Sequence, residues 1–277
     1  MDHKVSVVIP TYNRRDALMR AIASVQAQSY PIAELIVVDD GSDDGTEYAV
    51  NALNGVRYMY QENQGVSAAR NLGIGACSSP FIAFLDSDDT WLPTKLEAQF
   101  NVLEQTGLRF CHTEEIWIRN GIRVNQKLKH RKAGGDQFER SIELCCISPS
   151  SVLIAREIFD TYGVFDESLP ACEDYDLWLR ICAFEHIAFV ETPQIHKYGG
   201  HDDQLSRAFP AMDRFRLQAL EKLLIANSIS ETQRGLVLEN MRTRIDVLWM
   251  GAMKRDNLPL IADLSALKKR WALDHVD

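Results

Sequence analysis

The sequence predicts an α/β fold with a mostly parallel central sheet flanked by helices, followed by a C-terminal helical region. Across residues 5–85, short apolar runs alternate with stretches of helical periodicity. The apolar runs are continuous in Val, Ile and Leu, which is typical of strands buried on both faces of a parallel sheet. From about residue 210 the apolar spacing is helical throughout. We therefore expect an α/β domain over residues 1–209 and a helical appendage over residues 210–277.

Seven predicted elements in the order β-α-β-α-β-α-β open the chain. The strands are expected at Val5–Ile9, Leu35–Val38, Val56–Tyr60 and Phe81–Leu85, and the helices at Asp16–Gln28, Thr46–Leu53 and Ser67–Ala76. Because strands joined by right-handed helical crossovers run parallel, their carboxyl ends meet at one edge of the sheet, where such sheets bind ligands. That edge would carry Thr11-Tyr12-Asn13, Asp39-Asp40-Gly41-Ser42 and Asp86-Ser87-Asp88-Asp89.

The later elements are less regular. A helix is expected from Pro93, a residue tolerated in a first turn, to about Thr106, and Gly107 would end it. Strands are expected at Arg109–Ile118 and Ser151–Ala155, and a helix at Asp174–Ala183. Pro259 separates the last two helices of the C-terminal region. We interpret that region as core packing, with a dimerisation surface or a basic membrane contact through Lys268-Lys269-Arg270 as the alternatives.

Residues 119–135 form a basic segment without an acidic residue. Its cations are Arg119, Arg123, Lys127, Lys129, Arg131 and Lys132. A charge run of this kind is usually a solvated or mobile loop, and that is our interpretation. A patch that binds an acceptor or an anionic surface is the alternative.

Composition excludes several classes of protein. The 277 residues are 46% hydrophobic and 25% charged, so the chain can bury a core without disulfides or a structural metal. The net charge of -9 opposes nucleic-acid binding. The six cysteines form no CxxC pair and no signal peptide is expected before Val5, which predicts reduced thiols in a cytoplasmic protein. No apolar stretch approaches the ~18 residues of a membrane span, so any membrane contact would be peripheral.

Three carboxylates, of Asp86, Asp88 and Asp89, directly follow the predicted strand Phe81–Leu85. Unpaired buried charges are costly, so acids gathered at a strand end need water or a cation. Mg²⁺ and Mn²⁺ take one or two carboxylates and complete their shell with phosphate oxygens and water. The segment therefore predicts a divalent-cation site, with an acidic turn before the next helix as the alternative.

The strand ends near Thr11 and Asp39 favour a nucleotide but not a dinucleotide. Neither βα turn contains the G-x-G-x-x-G pattern that a dinucleotide-binding turn requires. An aspartate at a strand end can accept the ring N–H of a pyrimidine, and Tyr12 can lie against the base. We interpret Asp43–Thr46 as a turn with a helix cap.

Glu173 and Asp174 begin a predicted helix and offer a second pair of carboxylates. Acids at a helix N-terminus stabilise the helix through its dipole. A positioned carboxylate can also act as a general base, which is worth ~10²- to 10⁴-fold in rate. His201 follows Gly199-Gly200 and could complete a metal shell, bind diphosphate or be an ordinary loop histidine.

Four ordered motifs resemble those of the family 2 glycosyltransferases of the GT-A fold. They read VSVVIPTYNR at residues 5–14, VVDDGSDDGT at 37–46, NQGVSAARNLG at 63–73 and FLDSDD at 84–89. The resemblance extends through EDYDLWLR at 173–180, which is similar to the family's E-D motif, and to HDDQLS at 201–206. No resemblance extends beyond about residue 210.

The resemblance implies a Rossmann-like GT-A fold with a nucleotide half at about residues 1–89 and an acceptor half at about 90–209. It implies an inverting transfer of a sugar from a nucleotide diphosphate donor, with a UDP-sugar as the first candidate and thymidine or guanosine diphosphate still open. Thr11, Tyr12 and Asn13 would border the nucleotide. Asp39 would contact the base, and Arg70 would lie near the base or the diphosphate.

The resemblance also implies the metal and catalytic residues. Asp88 would be the direct ligand of Mn²⁺ or Mg²⁺, Asp86 would lie near the ribose and the metal, His201 would add a further ligand, and Asp89 would assist or orient the loop. Asp174 would be the general base, with Glu173 beside it.

The implied acceptor is a glycan or a lipid-linked sugar, in the synthesis of bacterial cell-surface polysaccharide. Two other functions remain open from the residues alone. Asp86–Thr90 also fits the D-x-D-x-T pattern of haloacid-dehalogenase-type phosphatases, in which Asp86 would be the nucleophile. A non-catalytic protein that binds a sugar nucleotide is the other alternative.

Overall fold

A computed structural model describes residues 3–200, 209 and 211–273 of the chain. The strands are β1 (Val5–Thr11), β2 (Glu34–Asp39), β3 (Arg57–Tyr60), β4 (Phe81–Phe84), β5 (Thr90–Trp91), β6 (Phe110–Arg119), β7 (Ile122–Val124), β8 (Leu153–Ala155) and β9 (Ala188–Gly199). The helices are α1 (Arg15–Gln26), α2 (Thr46–Asn51), α3 (Val66–Ala76), α4 (Lys95–Thr106), α5 (Phe138–Glu143), α6 (Arg156–Tyr162), α7 (Glu173–Cys182), α8 (Asp213–Ala226), α9 (Glu231–Lys254) and α10 (Leu258–Trp271). Two 3-10 turns lie at Leu128–His130 and Pro149–Ser151.

The strands form one mixed sheet in the order β3-β2-β1-β4-β8-β6-β9-β5, with β7 paired to β6. The first four strands in this order are parallel, as the βα alternation predicted. Strand β8 is antiparallel to both β4 and β6, so β6 runs in the same direction as β4. Strand β9 is parallel to β6. The carboxyl ends of β1, β2, β4, β6 and β9 therefore lie at the same edge of the sheet.

Strand β1 shows how the sheet buries both of its faces. Successive side chains of a strand point to opposite faces. Val8 packs in a core with residues of α3 and α7, whereas Val7 and Ile9 pack in a second core with residues of α1 and α4. All seven residues of β1 are buried. This burial on both faces explains the continuous apolar run in the sequence.

The C-terminal helices pack against the α/β part. Phe215 and Leu220 of α8 belong to the same core as Trp178 of α7. Arg244 of α9 donates hydrogen bonds to the carbonyl oxygens of Ile142 and Glu143, at 2.9 and 2.7 Å. Helices α8 and α9 thus pack on the core of the α/β part, while the domain limits at residues 209 and 210 stay a prediction. None of the helices in the described residues is long and apolar enough to cross a membrane.

The structure corrects the sequence-based elements in the second half of the chain. Strands β5 and β9 and helices α5 and α6 were not predicted. The pairing of β9 with β6 shifts register between Thr113 and Glu115, opposite Pro193, which breaks the period-2 pattern. The segment predicted as a loop contains β7, joined to β6 by Asn120 and Gly121, both with positive φ. This is a tight hairpin turn for which Asn-Gly is the preferred sequence. The six cysteines are free, as predicted.

The contact between α3 and β1 leads to a prediction about two glycines. A Cβ added to Gly73 would lie 2.3 Å from Cγ1 of the fully buried Val8, whereas a Cβ added to Gly75 would meet nothing within 4 Å. We expect Gly73→Ala to lower the free energy of unfolding by about 1–3 kcal/mol through overpacking. Gly75→Ala, the matched control on the same helix, should be neutral or stabilising by up to about 1 kcal/mol. Urea unfolding measures both, and equal losses would contradict this packing.

Candidate active site

The loops after β1 and β2 are tied together at the carboxyl edge of the sheet. The backbone N–H of Asn13 donates to Oγ of Ser42 at 2.8 Å, and the N–H of Asp43 donates to Oδ1 of Asn13 at 2.9 Å. Asn13 adopts a left-handed conformation with φ of 48°, which asparagine tolerates better than most residues. Tyr12 is 49% exposed beside this turn. Its ring is therefore exposed, and its predicted contact with a base stays a prediction.

Asp39 lies at the end of β2 but is completely buried. Its Oδ1 accepts from the backbone N–H of Ser42 at 2.9 Å, and its Oδ2 accepts from Oη of Tyr58 at 2.8 Å. Asp39 thus positions the loop after β2, and its predicted contact with a base stays a prediction. The neighbouring Thr11 is also buried, and its Oγ1 has no hydrogen-bond partner among the described residues.

Asp40 builds the loop before α3. Its carboxylate accepts from Nε2 of Gln61 at 2.7 Å and from the backbone N–H groups of Gln64 and Gly65, both at 2.9 Å. A carboxylate with three donors is satisfied by the protein itself. Asp40 therefore fixes the entry of α3, on which Arg70 lies.

Arg70 joins two parts of the candidate site. Its side chain is 4% exposed, its Nη2 lies 2.7 Å from Oδ1 of Asp86, and its Nη1 lies 2.7 Å from Oε1 of Glu173. The guanidinium also lies 5.1 Å from the centre of the Phe165 ring. Burial opposes the charged form of Arg70, but the two carboxylates outweigh it and raise its pKa. Arg70 thus bridges the acids after β4 and at the start of α7, and its predicted position near a base or diphosphate stays a prediction.

Glu173 and Asp174 differ in their partners. Glu173 is buried and engaged by Arg70; burial and then the neighbouring Asp174 raise its pKa. Asp174 is only half-buried, and its Oδ1 accepts from the backbone N–H of Tyr175 at 2.7 Å. Its Oδ2 accepts from the thiol of Cys145 at 3.3 Å, and burial together with Asp174 raises the pKa of that thiol well above its usual range. Among the described residues, Arg70 forms an ion pair with Glu173 but not with Asp174, whose charge interacts with Lys197.

Asp88 and Asp89 point to different surroundings. Oδ2 of Asp88 lies 3.0 Å from Nη1 of Arg14, and Asp88 lines a cleft of about 310 Å³ beside α1. Burial and then Asp86 raise the pKa of Asp88. Asp89 is buried, and accepts from Oγ of Ser150 at 2.6 Å and from the backbone N–H of Tyr198 at 3.0 Å. Asp89 orients its loop, whereas Asp88 is accessible from the cleft.

The donor set for a metal ion is small. Within the described residues, no group of three or more His, Cys, Asp or Glu side chains is arranged to hold a metal. Asp86 and Asp88 offer two carboxylates, and Mg²⁺ is commonly held by one or two carboxylates with phosphate oxygens from a substrate. The two residues fit a cation that a bound diphosphate helps to hold. His201 lies outside the described residues.

Three residues near the site were not predicted from the sequence as site residues. Arg14 pairs with Asp88, Cys145 contacts Asp174, and Lys197 on β9 lies among the acids. Burial opposes the charge of Lys197, but Glu115, Asp89 and Asp86 outweigh it and raise its pKa. Lys197 was missed because β9 was missed. No sequence pattern marks Cys145, since its contact depends on how residues 144–148 meet α7.

A model of the family described as Glycosyl transferase family 2 matches residues 6–163. That match covers more than half of the chain, including the loops after β1, β2 and β4. It ends before Glu173 and Asp174.

Two curated relatives resemble the chain over about two thirds to three quarters of its length. A Rickettsia felis protein named "Uncharacterized glycosyltransferase" is 32% identical over 209 residues, which cover 74% of this chain and 33% of that protein. The chain thus spans about a third of that relative's length. An Escherichia coli protein, UDP-Glc:alpha-D-GlcNAc-diphosphoundecaprenol beta-1,3-glucosyltransferase WfgD, is 31% identical over 194 residues, covering 68% of this chain and 74% of that protein.

Solved structures confirm the fold. The crystal structure of Staphylococcus aureus TarS 1–349 in complex with UDP-GlcNAc matches with a TM-score of 0.77 at 18% sequence identity, covering 94% of this chain and 79% of that one. At this identity the likeness establishes the fold alone. The predicted GT-A architecture is therefore confirmed.

The Arg70 bridge leads to a stability prediction. We expect Arg70→Met to lower the free energy of unfolding by about 3 kcal/mol, because it leaves the buried Glu173 carboxylate without its cation. Arg70→Lys should recover only part of the loss, since an ammonium lacks the planar fork that reaches two carboxylates. Arg70→Met combined with Glu173→Gln should be more stable than the sum of the single changes predicts. Strict additivity in urea unfolding would mean that the bridge does not form.

Proposed function

The chain belongs to glycosyl transferase family 2, and we propose that it transfers a sugar, with inversion, from a nucleoside diphosphate donor to an acceptor hydroxyl. The single observation that carries the proposal is the Arg70 bridge. It joins Asp86, at the edge where parallel sheets bind ligands, to Glu173, whose neighbour Asp174 can accept a proton. Family membership also excludes a haloacid-dehalogenase-type phosphatase with Asp86 as nucleophile.

A UDP-sugar is the proposed donor. Tyr12 offers an exposed ring for the base, and the buried Oγ1 of Thr11 beside it has no partner among the described residues. The names of the E. coli relatives WfgD and WfaP specify UDP-Glc, and the TarS structure was solved with UDP-GlcNAc. A ligand near Asp39 would meet a carboxylate that already accepts two hydrogen bonds, so Asp39 would act on the base mainly by holding the loop.

The proposed metal ion is Mn²⁺ or Mg²⁺, held by Asp88 and Asp86 together with the donor's diphosphate. When bound, it would offset the negative charge that develops on the leaving diphosphate. Arg14 now lies 3.0 Å from Asp88, so this guanidinium would turn from the carboxylate towards the diphosphate as the ion enters.

Asp174 is the proposed general base. The acceptor hydroxyl would attack the anomeric carbon and form the new glycosidic bond while the bond to the diphosphate oxygen breaks. The hydroxyl proton would pass to Asp174, and the nucleoside diphosphate would leave with the bonding electron pair. Glu173 is a positioning residue, because Arg70 engages it. The thiol of Cys145 holds Oδ2 of Asp174 in place.

A lipid-linked sugar is the proposed acceptor, in the assembly of a cell-surface polysaccharide. This follows from the names of WfgD and WfaP, whose printed acceptor is alpha-D-GlcNAc-diphosphoundecaprenol. We place the reaction at the cytoplasmic side of the membrane. The chain resembles both relatives over about two thirds of its length.

A first test concerns the base. Asp174→Asn keeps the side chain's shape but removes its basicity, so transfer from UDP-glucose to a GlcNAc-diphosphoryl lipid should slow by about 10²-fold or more. UDP affinity should be unchanged. Asp176→Asn is the matched control on the same helix: it weakens ion pairs to Lys222 and Arg180, so stability falls while the rate per folded enzyme stays near normal. A normal rate for Asp174→Asn with a collapse for Glu173→Gln would move the base to Glu173.

A second test concerns the donor and the metal. In thermal-shift panels, a matched nucleotide sugar at ~100 times its dissociation constant should add about 2.7 kcal/mol to stability, and UDP-sugars with Mn²⁺ should add most. Asp88→Ala should remove the increment that Mn²⁺ gives to UDP but leave uridine binding unchanged. Asp160→Ala, which removes an exposed acid of α6, should keep the increment. If Mn²⁺ still strengthens UDP binding in Asp88→Ala, the metal lies elsewhere.

A further inference from the structure

A basic hairpin projects from the edge of the sheet that carries the candidate site. We define this basic rim as residues 119–131, which include β7 and the 3-10 turn Leu128–His130. Its five cations, Arg119, Arg123, Lys127, Lys129 and Arg131, are all exposed. No acidic residue lies between Glu115 and Asp136, although the whole chain has a net charge of -9. None of the five forms an ion pair with another residue in the described part of the chain.

Two large apolar side chains are exposed among these cations. Leu128 is 91% exposed and lies between Lys127 and Lys129, and Ile122 is 69% exposed next to Arg123. An isolated exposed leucine needs no explanation. Two aliphatic side chains set among exposed cations that form no ion pair within the described residues are instead typical of surfaces that lie in a membrane interface. The rim therefore combines positive charge with exposed aliphatic side chains, and an anionic bilayer attracts both.

The fold holds the rim in place. Nε2 of Gln126 donates to Oε1 of Glu114 and to the carbonyl oxygen of Glu115, both at 3.0 Å. The ring of His130 lies 5.3 Å from that of Trp117. The sixth cation of the segment, Lys132, is buried and lies 3.3 Å from Oε2 of Glu115. The exposed side chains are thus presented by an anchored hairpin.

The position of the rim relates it to the site. Strand β6 runs in the same direction as β4, so the rim continues from the edge at which Asp86 lies. Arg119, at the end of β6, pairs with Gly199 of β9, two residues after Lys197. Lys197 in turn lies among the site's acids, since Asp86, Asp89 and Asp174 all influence its charge. A surface bound to the rim would lie beside the mouth of the site.

We propose that the basic rim docks on an anionic phospholipid bilayer, with its cations at the lipid phosphates and Ile122 and Leu128 in the interface. Each Lys or Arg near such a surface strengthens binding about fivefold. The proposal goes beyond the proposed transfer reaction and needs neither donor nor catalysis. It would bring the mouth of the site to the surface where a lipid-linked substrate is found.

The C-terminal helices fit this role less well. Of the cations predicted there as a membrane contact, Lys268 lies 2.8 Å from Oδ1 of Asp246, and Arg270 pairs with Glu221 at 2.5 Å. Met250 and Met253 are exposed near Lys254 and Arg255. However, Asp246 and Asp256 lie in the same stretch and lower its positive charge.

Vesicle sedimentation of the full chain tests the proposal. The wild-type protein should bind vesicles of phosphatidylcholine with phosphatidylglycerol and should not bind phosphatidylcholine alone. Arg123→Glu, Lys127→Glu and Lys129→Glu together should weaken binding by about 100-fold or more, from the loss of three cations. Lys254→Glu, Arg255→Glu and Lys269→Glu, which change the net charge equally, should weaken it by no more than about threefold. Leu128→Ser should weaken binding several-fold, and more so at high salt, where the charges are screened.

Several results would overturn the proposal. The first is failure of the wild-type protein to bind anionic vesicles, and the second is an equal loss of vesicle binding in the two triple variants. The third is release from the vesicles by millimolar pyrophosphate, which would identify a site for free phosphate groups. Preferential binding of RNA over vesicles would identify a different partner. UDP binding by both triple variants checks that they fold. UDP binding also separates the membrane proposal from the proposed transfer reaction. A variant that loses vesicle binding but binds UDP normally has a defect in the rim alone.

Discussion

One buried guanidinium holds the candidate site together. Arg70 extends from α3 and pairs at 2.7 Å with Asp86 after β4 and at 2.7 Å with Glu173 at the start of α7. Glu173 lies 103 residues from Arg70 in the sequence, and neither the guanidinium nor Glu173 could be buried alone without a large cost in free energy. The relative positions of the strand-end acids and of Asp174 therefore depend on this bridge. Site geometry and chain stability are coupled through one side chain.

The acids at this edge differ in function because they differ in partners. Asp40 and Asp89 accept hydrogen bonds from backbone N–H groups and fix the loops that surround the site. Glu173 is engaged by Arg70. Asp174 has a thiol and one backbone N–H as its partners, and Asp88 lines a cleft. Counting carboxylates in the sequence could not separate these groups, whereas hydrogen bonding and access do.

The sequence predicted the parallel half of the sheet because each strand there is buried on both faces and each crossover is a helix. The position of the loops that carry Tyr12 and Asp86 could be predicted from that topology, because the carboxyl ends of parallel strands meet at one edge of the sheet. The antiparallel half was harder: β9 is twelve residues long but contains Pro193 and a register shift, so neither alternation nor a continuous apolar run marks it. Lys197 was missed with it. The Asn-Gly pair at residues 120 and 121 is a sequence signal for a hairpin, but the surrounding run of positive charges led to the prediction of a loop.

The same topology explains why an acidic chain presents a basic surface. The cations that can reach the acids are paired with them: Arg14 with Asp88, Arg70 with Asp86 and Glu173, and Lys132 with Glu115. The tight turn at Asn120 and Gly121 folds β7 back along β6, so that Arg123 lies opposite Ile118. The five cations of the basic rim are exposed on this hairpin and form no ion pair with a carboxylate of the described residues. Opposite charges are thus separated along one edge. The cations inside the site are paired with its acids, whereas those of the basic rim are exposed to solvent.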